Sequence, residues 1–239
     1  MGKRLAMAAL VLCVATGWGA AMAQSPEKDP GWTLKSDSKG LKIYNREKAD
    51  SPIKEVLALT TIDSPVWRVA AVVGDYDGFK EFMPYTVVSK QTGHEDVGQG
   101  KAINYFFTAL DLPLVANRYY TLRMTDEWNP DGKTGAFRSK WSRTKEAGKD
   151  LNWDDPAVKA LFPSSYKEPI KTPINEGYWL LEPADGGAKT HITYYVFTDP
   201  GGKIPAWVAN QANSIAIPKL MKGVRERSKA PKYDAMAPK

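Results

Sequence analysis

Near the C-terminus, Asp199-Pro200-Gly201-Gly202-Lys203-Ile204-Pro205-Ala206-Trp207-Val208-Ala209-Asn210 turns the chain out of its last strand and into its one long helix. Paired glycines between two prolines make a sharp corner. Pro205 falls in the first helical turn, where its missing amide donor costs nothing. The helix is expected from about Ile204 to Arg227, kinked at Pro218, with Ile217, Leu220, Met221 and Val224 as an apolar stripe beyond the kink.

Upstream the pattern is mostly strand. Trp32-Thr33-Leu34-Lys35 and Leu41-Lys42-Ile43-Tyr44 alternate around Asp37-Ser38-Lys39-Gly40, which reads as a hairpin, and Ile53 to Thr61 makes a third strand. Asp63-Ser64-Pro65 starts a helix, a capping side chain before a proline, with Val66, Val69, Ala70 and Val73 on one face. A second short helical piece spans about Phe79 to Met83. Strands are expected at 86–92, 101–109, 118–128 and 136–143, separated by turns rich in Gly, Asp, Asn and Pro. Residues 145–171 form a polar excursion with one short helix started by Asp155-Pro156, and strands at 177–182 and 190–198 lead to the corner. So many strands cannot bury an inner face with so few helices unless the sheet curls. The economical architecture is α+β: a curved antiparallel sheet of about nine strands wrapped on the long C-terminal helix. Such a grip need not fill, and the space left over is a cavity.

Residues 1–23 read as an export signal: Lys3 and Arg4, then an apolar run from Leu5 to Trp18, then Ala21-Met22-Ala23 as a small-x-small cleavage site. The run is too short to span a bilayer. Cleavage near Ala23 implies a periplasmic or secreted protein. It also removes Cys13, the one cysteine, so the mature chain has no disulfide. Residues 24–228 suit one large domain, and 229–239, rich in Lys, Ala and Pro, a flexible basic tail. Lys3 and Arg4 leave with the signal, so 31 of the 33 basic residues face 27 acidic ones, a net of +4. So modest and dispersed a charge gives no footing for nucleic acid but allows transient contact with an anionic membrane surface. Nothing in the pattern demands a dimer, and a monomer is expected.

Four segments, in order, carry a resemblance: Trp32 with Gly40-Leu41-Lys42-Ile43-Tyr44; Leu112-Pro113-Leu114-Val115-Ala116-Asn117-Arg118-Tyr119-Tyr120; Gly177-Tyr178-Trp179-Leu180-Leu181-Glu182-Pro183; and the corner at 199–210. On these the chain resembles a secreted bacterial START domain of the helix-grip superfamily, over nearly all of the mature chain. The resemblance implies a tunnel closed by the C-terminal helix and by a loop between two central strands, here Ala109 to Asn117. The loop's apolar tip suits a gate, since an exposed apolar loop needs a membrane or a helix to cover it. Two positions depart from the family pattern. Members that bind sterols often carry a buried acid–base pair, whose basic member falls on Met124 here. The Asp that usually follows the Arg is Tyr119, so Arg118 needs another partner.

Candidate ligand-lining residues follow from strand alternation. Tyr120, Leu122 and Met124 share one face of a strand, Tyr105 and Phe107 one face of its neighbour, and Tyr195 and Phe197 one face of the last strand. Tyr194 and Val196 are the competing inward set, because a one-residue shift exchanges the faces. Leu112 and Leu114 join from the loop, and Trp207 and Asn210 from the first turns of the lid helix. Asn210 suits a ligand hydroxyl or, more simply, a hydrogen bond to the neighbouring loop. The hydroxyls of Tyr105 and Tyr195 are further anchors for one polar head. Each of these sets serves equally as packed core. For an enzyme the signals are thin. His94, in the turn Gly93-His94-Glu95-Asp96, and His191 join no nucleophile or carboxylate motif, and no phosphate-binding or metal-ligand spacing occurs. The expectation is a carrier of an apolar small molecule, lipid or sterol-like, without cofactor or metal, in a cavity gated by loop 109–117 and the helix. The alternative is a cavity enzyme of the cyclase or hydratase type on the same fold.

Overall fold

The computed structural model describes Asp29, residues 31–113 and residues 115–237. The signal segment and Leu114 lie outside the described residues.

Three strands open the fold: β1 (Thr33–Ser38), β2 (Leu41–Lys48) and β3 (Ser51–Ile62). Helix α1 (Val66–Val73) and a 3-10 turn (Tyr76–Glu81) lead to β4 (Thr86–Gly98), β5 (Lys101–Leu110), β6 (Arg118–Trp128) and β7 (Phe137–Arg143). Then come α2 (Pro156–Lys159), β8 (Ile170–Lys171), β9 (Ile174–Ala184), β10 (Lys189–Asp199) and α3 (Ala206–Arg227). All form one sheet in the order β1-β2-β3-β10-β9-β7-β6-β5-β4, with the two-residue β8 added parallel to β6 and every other pairing antiparallel. The block β1–β3 meets the rest at a single seam, β3 against β10, where Val56 pairs with Val196 and Ile62 with Thr190. This is the α+β helix-grip arrangement that the strand pattern and the corner lead to. The corner itself is built as read: Gly201 and Gly202 take φ of 66° and 73°, a conformation that disfavours side chains.

The inner face of the sheet carries the main core. Val56, Ala58, Phe106, Leu122, Met124, Trp141 and Tyr194 pack against Val69, Val72 and Val73 of α1 and the expected stripe Ile217, Leu220, Met221 and Val224 of α3. Helix α3 runs on through Pro218. Its first half leaves Trp207 69% and Ile215 49% exposed.

A second core covers the outer face. The excursion after β7 folds Leu151, Trp153, Phe162 and Tyr166 over Val88, Phe107, Ala109 and Tyr119. Its rings stack closely, with centroids 4.8 Å apart for Trp153–Phe162 and 4.7 Å for Phe162–Tyr166. Asp155 caps α2 as its sequence suggested, accepting from the Ala157 amide at 2.8 Å.

Two local expectations are corrected. Ser64 does not cap α1, because its hydroxyl faces that of Ser228 at 2.9 Å, and the helix begins from extended Pro65 without a side-chain cap. The tail from 229 is not loose either: through Met236 it is docked against α1 and the 3-10 turn. Tyr233 is fully buried, its hydroxyl donating to Asp75 Oδ2 at 2.7 Å and accepting from Arg227 Nε at 3.0 Å. Lys232 pairs with Asp75, and Arg68 with Asp234. One aromatic side chain, placed over a carboxylate, anchors a stretch whose composition reads as disordered.

Candidate ligand groove

A cavity of about 1260 Å³ lies between α1, the hairpin halves of β4 and β5, the adjoining ends of β6 and β7, and the docked tail. Apolar side chains line much of it, Trp67, Ala70 and Ala71 from α1, Trp128 and Phe137 from the sheet, and Met236 from the tail, with Asp77, Asp96, Gln99 and Lys101 among the polar ones. Its floor is polar and fixed. Tyr76 Oη and Asn104 Nδ2 both donate to Asp126 Oδ2, each at 2.8 Å. The Asn104 Oδ1 atom in turn accepts from Gln91 Nε2 at 2.7 Å and faces His94 Nδ1 at 2.6 Å. Ser139 is the cross-strand neighbour of Asp126 on β7. Burial raises the Asp126 carboxyl above its ordinary value, opposed by its polar neighbours Ser139, Tyr76 and Asn104 and by the nearby His94 ring. Burial, and then Asp126 itself, push the Tyr76 hydroxyl well above its usual range.

Sequence reasoning missed this floor. It ended the first of these strands at Thr92 and left His94 in a turn, whereas β4 continues to Gly98 through register shifts at Gln91/Gly93 and Asp96/Gly98. A usable signal was present: Leu122 and Met124 lie on the inner face, so period two carries Asp126 onto it, and Asn104 precedes inward Phe106 by two.

The candidate residues divide. Tyr120, Leu122 and Met124 sit on the inner face as expected from alternation, and burial pushes the Tyr120 hydroxyl up to about 12. Tyr105, Phe107, Tyr195 and Phe197 are corrected: all four face outward. Tyr105 donates to Glu146 Oε2 at 2.6 Å beneath Lys149, and Phe107 is enclosed in the outer core. Tyr195 stacks on Tyr178 at 5.4 Å and donates to Glu55 Oε1 at 2.6 Å, while Phe197 lies under Lys48 Nζ at 4.4 Å. The competing set, Tyr194 and Val196, is inward. Trp207 stands in solvent. Asn210 spends its amide on the start of β3, accepting from the Lys54 amide at 2.9 Å and donating to Pro52 O at 3.1 Å, which is the simpler of its two readings. Leu112 is half-buried, and its amide donates to Asn117 Oδ1 at 3.2 Å.

The partner that Arg118 lacked in sequence is backbone. The guanidinium, 2% exposed, donates to Pro200 O at 2.6 Å, Gly201 O at 2.9 Å, Asn117 O at 3.2 Å and Ala116 O. One side chain thus clasps the loop after β5 to the corner before α3. Burial lowers its pKa, since no carboxylate faces it. Among the described residues, none of 109–117 and none of α3 lines the groove.

No protein-family model matches the chain. An uncharacterized protein of Pseudomonas aeruginosa is 28% identical over 195 residues, 81% of this chain and 85% of that one. Among solved structures, a STAR-related lipid transfer protein from Xanthomonas axonopodis has a TM-score of 0.66 at 24% identity, covering 84% of this chain and 99% of its own. Human StAR-related lipid transfer protein 5 has a TM-score of 0.65 at 13% identity, covering 85% and 88%. The chain has the START helix-grip fold of these lipid-transfer domains: one large antiparallel sheet with a C-terminal helix.

Proposed function

We propose that the chain binds an apolar small molecule, a lipid or sterol-like compound, in the groove between α1 and the β4–β5 hairpin, and carries it between membrane surfaces. The observation that carries this reading is the groove: about 1260 Å³, with apolar side chains from α1, the sheet and the tail along it and a hydrogen-bonded polar floor, which suits a molecule with an apolar body and a polar head. Affinity would come from burial, at roughly 0.8 kcal/mol for each CH₂ taken from water. Solved lipid-transfer proteins with the same fold support the ligand class. The exit for the ligand is the hairpin end of the sheet, where Val97 and Met236 stand exposed, and contact with the membrane there would be transient. With the leader expected at 1–23 removed on export, this activity would lie in the periplasm or outside the cell, carried by a monomer without cofactor.

A cavity enzyme of the cyclase or hydratase type is the second reading. It is favoured by one observation, the hydrogen-bonded line from Asp126 through Asn104 to the His94 ring, which would orient an acid–base group toward a bound molecule. Native mass spectrometry of the mature protein from its own envelope, followed by organic extraction, distinguishes the two. A stoichiometric apolar molecule recovered unchanged supports the carrier; turnover of an added apolar substrate supports the enzyme. Ala71→Trp, which fills the groove from the α1 wall, should abolish uptake of an apolar dye. Undiminished uptake would remove the groove as the site.

A further inference from the structure

We propose that His94 reads the head of the bound molecule, accepting at Nε2 a hydrogen bond from a hydroxyl group, so that the groove selects apolar alcohols over their ethers and over anionic lipids. The inference rests on the groove being the binding site, and it adds the chemical class of the ligand.

The argument is one of donors and acceptors. An ionised Asp126 only accepts, and Tyr76 Oη and Asn104 Nδ2 both point at its Oδ2 atom at 2.8 Å. The Asn104 amide is therefore fixed with its nitrogen on Asp126 and its oxygen toward His94. That oxygen takes Gln91 Nε2 at 2.7 Å and lies 2.6 Å from His94 Nδ1. Facing an acceptor, Nδ1 must carry the proton. In the neutral ring Nε2 is then the acceptor, oriented by the bond on the other nitrogen. His94 is exposed and lines the groove, and among the described residues Nε2 has no partner. A ring held at one nitrogen presents the other in a defined direction to whatever fills the cavity.

Charge narrows the class further. Asp77, Asp96 and Asp126 line the groove, and the one lysine among its described lining residues, Lys101, is engaged by Glu127 at 2.8 Å. A carboxylate or phosphate head would enter a site with three acidic side chains and one committed cation. A neutral hydroxyl avoids that repulsion and supplies the donor that Nε2 lacks. Its apolar part lies along Trp67, Ala71, Phe137 and Met236.

The test uses three probes of one chain length: decanol, decyl methyl ether and decanoate. Binding is followed by the fluorescence of the protein, in which Trp67 and Trp128 line the groove. Decanol should bind about tenfold more tightly than the ether, the effect of one hydrogen bond between site and ligand, and decanoate should be weakest. His94→Phe keeps a ring of similar size at an exposed position and removes the acceptor. Its alcohol-to-ether ratio should fall to about one. Equal binding of alcohol and ether by the unaltered protein, an unchanged ratio in His94→Phe, or decanoate as the tightest probe overturns the role of His94 while the groove stands. Failure of all three probes to bind, or binding that Ala71→Trp does not weaken, refutes the groove itself and this inference with it.

Discussion

Arg118 is the side chain whose removal should be felt most widely. Arg118→Met keeps an unbranched apolar stem and deletes every donor. The best two bonds lost are those to Pro200 O at 2.6 Å and Gly201 O at 2.9 Å, with a weaker one to Asn117 O at 3.2 Å. Charged donors contribute about 1.5–3 kcal/mol each, so these two alone represent about 3–6 kcal/mol. Relief from burying a cation with no carboxylate opposes this, and the net cost is about 3 kcal/mol. For a domain of this size that corresponds to a melting point lower by about 6–12 °C. Arg118→Lys should recover part of the loss, since one ammonium cannot span carbonyls on both sides of the clasp. The loss should also be local. Amide exchange should accelerate at 111–117 and 199–203, on both sides of the clasp, before it does in β9. Urea and thermal unfolding with hydrogen exchange by mass spectrometry read both effects. A methionine variant that melts within about 2 °C of the parent, a difference worth no more than about 1 kcal/mol, with unchanged exchange in those segments, would refute the clasp.

Other expectations follow from single contacts. A Cβ on Gly177 would lie 2.2 Å from the Tyr195 carbonyl oxygen and 2.4 Å from the Trp141 ring, so Gly177→Ala forces the sheet to shift and should cost about 3 kcal/mol; a melting curve within error of the parent would contradict the packing. Asn210→Ala loses both bonds to β3, about 1–2 kcal/mol, and should speed tryptic cleavage after Lys203; unaltered cleavage would mean that the first half of α3 is held elsewhere. Burial would raise the Glu55 carboxyl, but Arg46, Tyr195 and Lys48 hold it below its ordinary value. Its stabilising contribution is therefore present above the unfolded value, about 4.3, and is lost as pH falls through the lower folded one. Glu55→Gln should flatten the acid limb of the stability curve, and parallel limbs for variant and parent would exclude this role.

The architecture was legible because its signals are local. Alternation marked the strands, and Pro200-Gly201-Gly202 with Pro205 marked the step from β10 into α3. The inward face was legible only where one face is polar. In β6, Thr121, Arg123 and Thr125 leave Tyr120, Leu122 and Met124 as the apolar set, and the structure puts that set on the inner face. In β5, Tyr105, Phe106 and Phe107 are apolar in succession, because the excursion after β7 buries the outer face too. Alternation carries no information about a strand covered on both sides. The same holds in β10, where Tyr194 and Tyr195 adjoin and the second is capped by Trp32 and Tyr178. Beyond the period-two signal for Asp126 and Asn104, the groove was not legible. Its lining comes from α1, the four strands β4 to β7 and the tail, brought together by tertiary packing with no common period. The docking of Tyr233 was hidden for a related reason: composition averages over a segment, whereas one ring in the right place suffices to hold it.

The single seam between β3 and β10 sets a clock on the nascent chain. Partners such as Val56 and Val196, or Ile62 and Thr190, are separated by 140 and 128 residues of chain, which at about 5–20 residues per second is a wait of about 6–28 s. Throughout that interval β3, which carries the buried positions Ile53, Val56, Leu57 and Ala58, has β2 on one side and an open row of amides and carbonyls on the other. Such an edge is a template for pairing with other chains. The step at which this protein is most exposed to aggregation is therefore the delay before its own tenth strand arrives. Substitutions that make β3 less sticky should raise the yield of folded protein more than they alter its final stability.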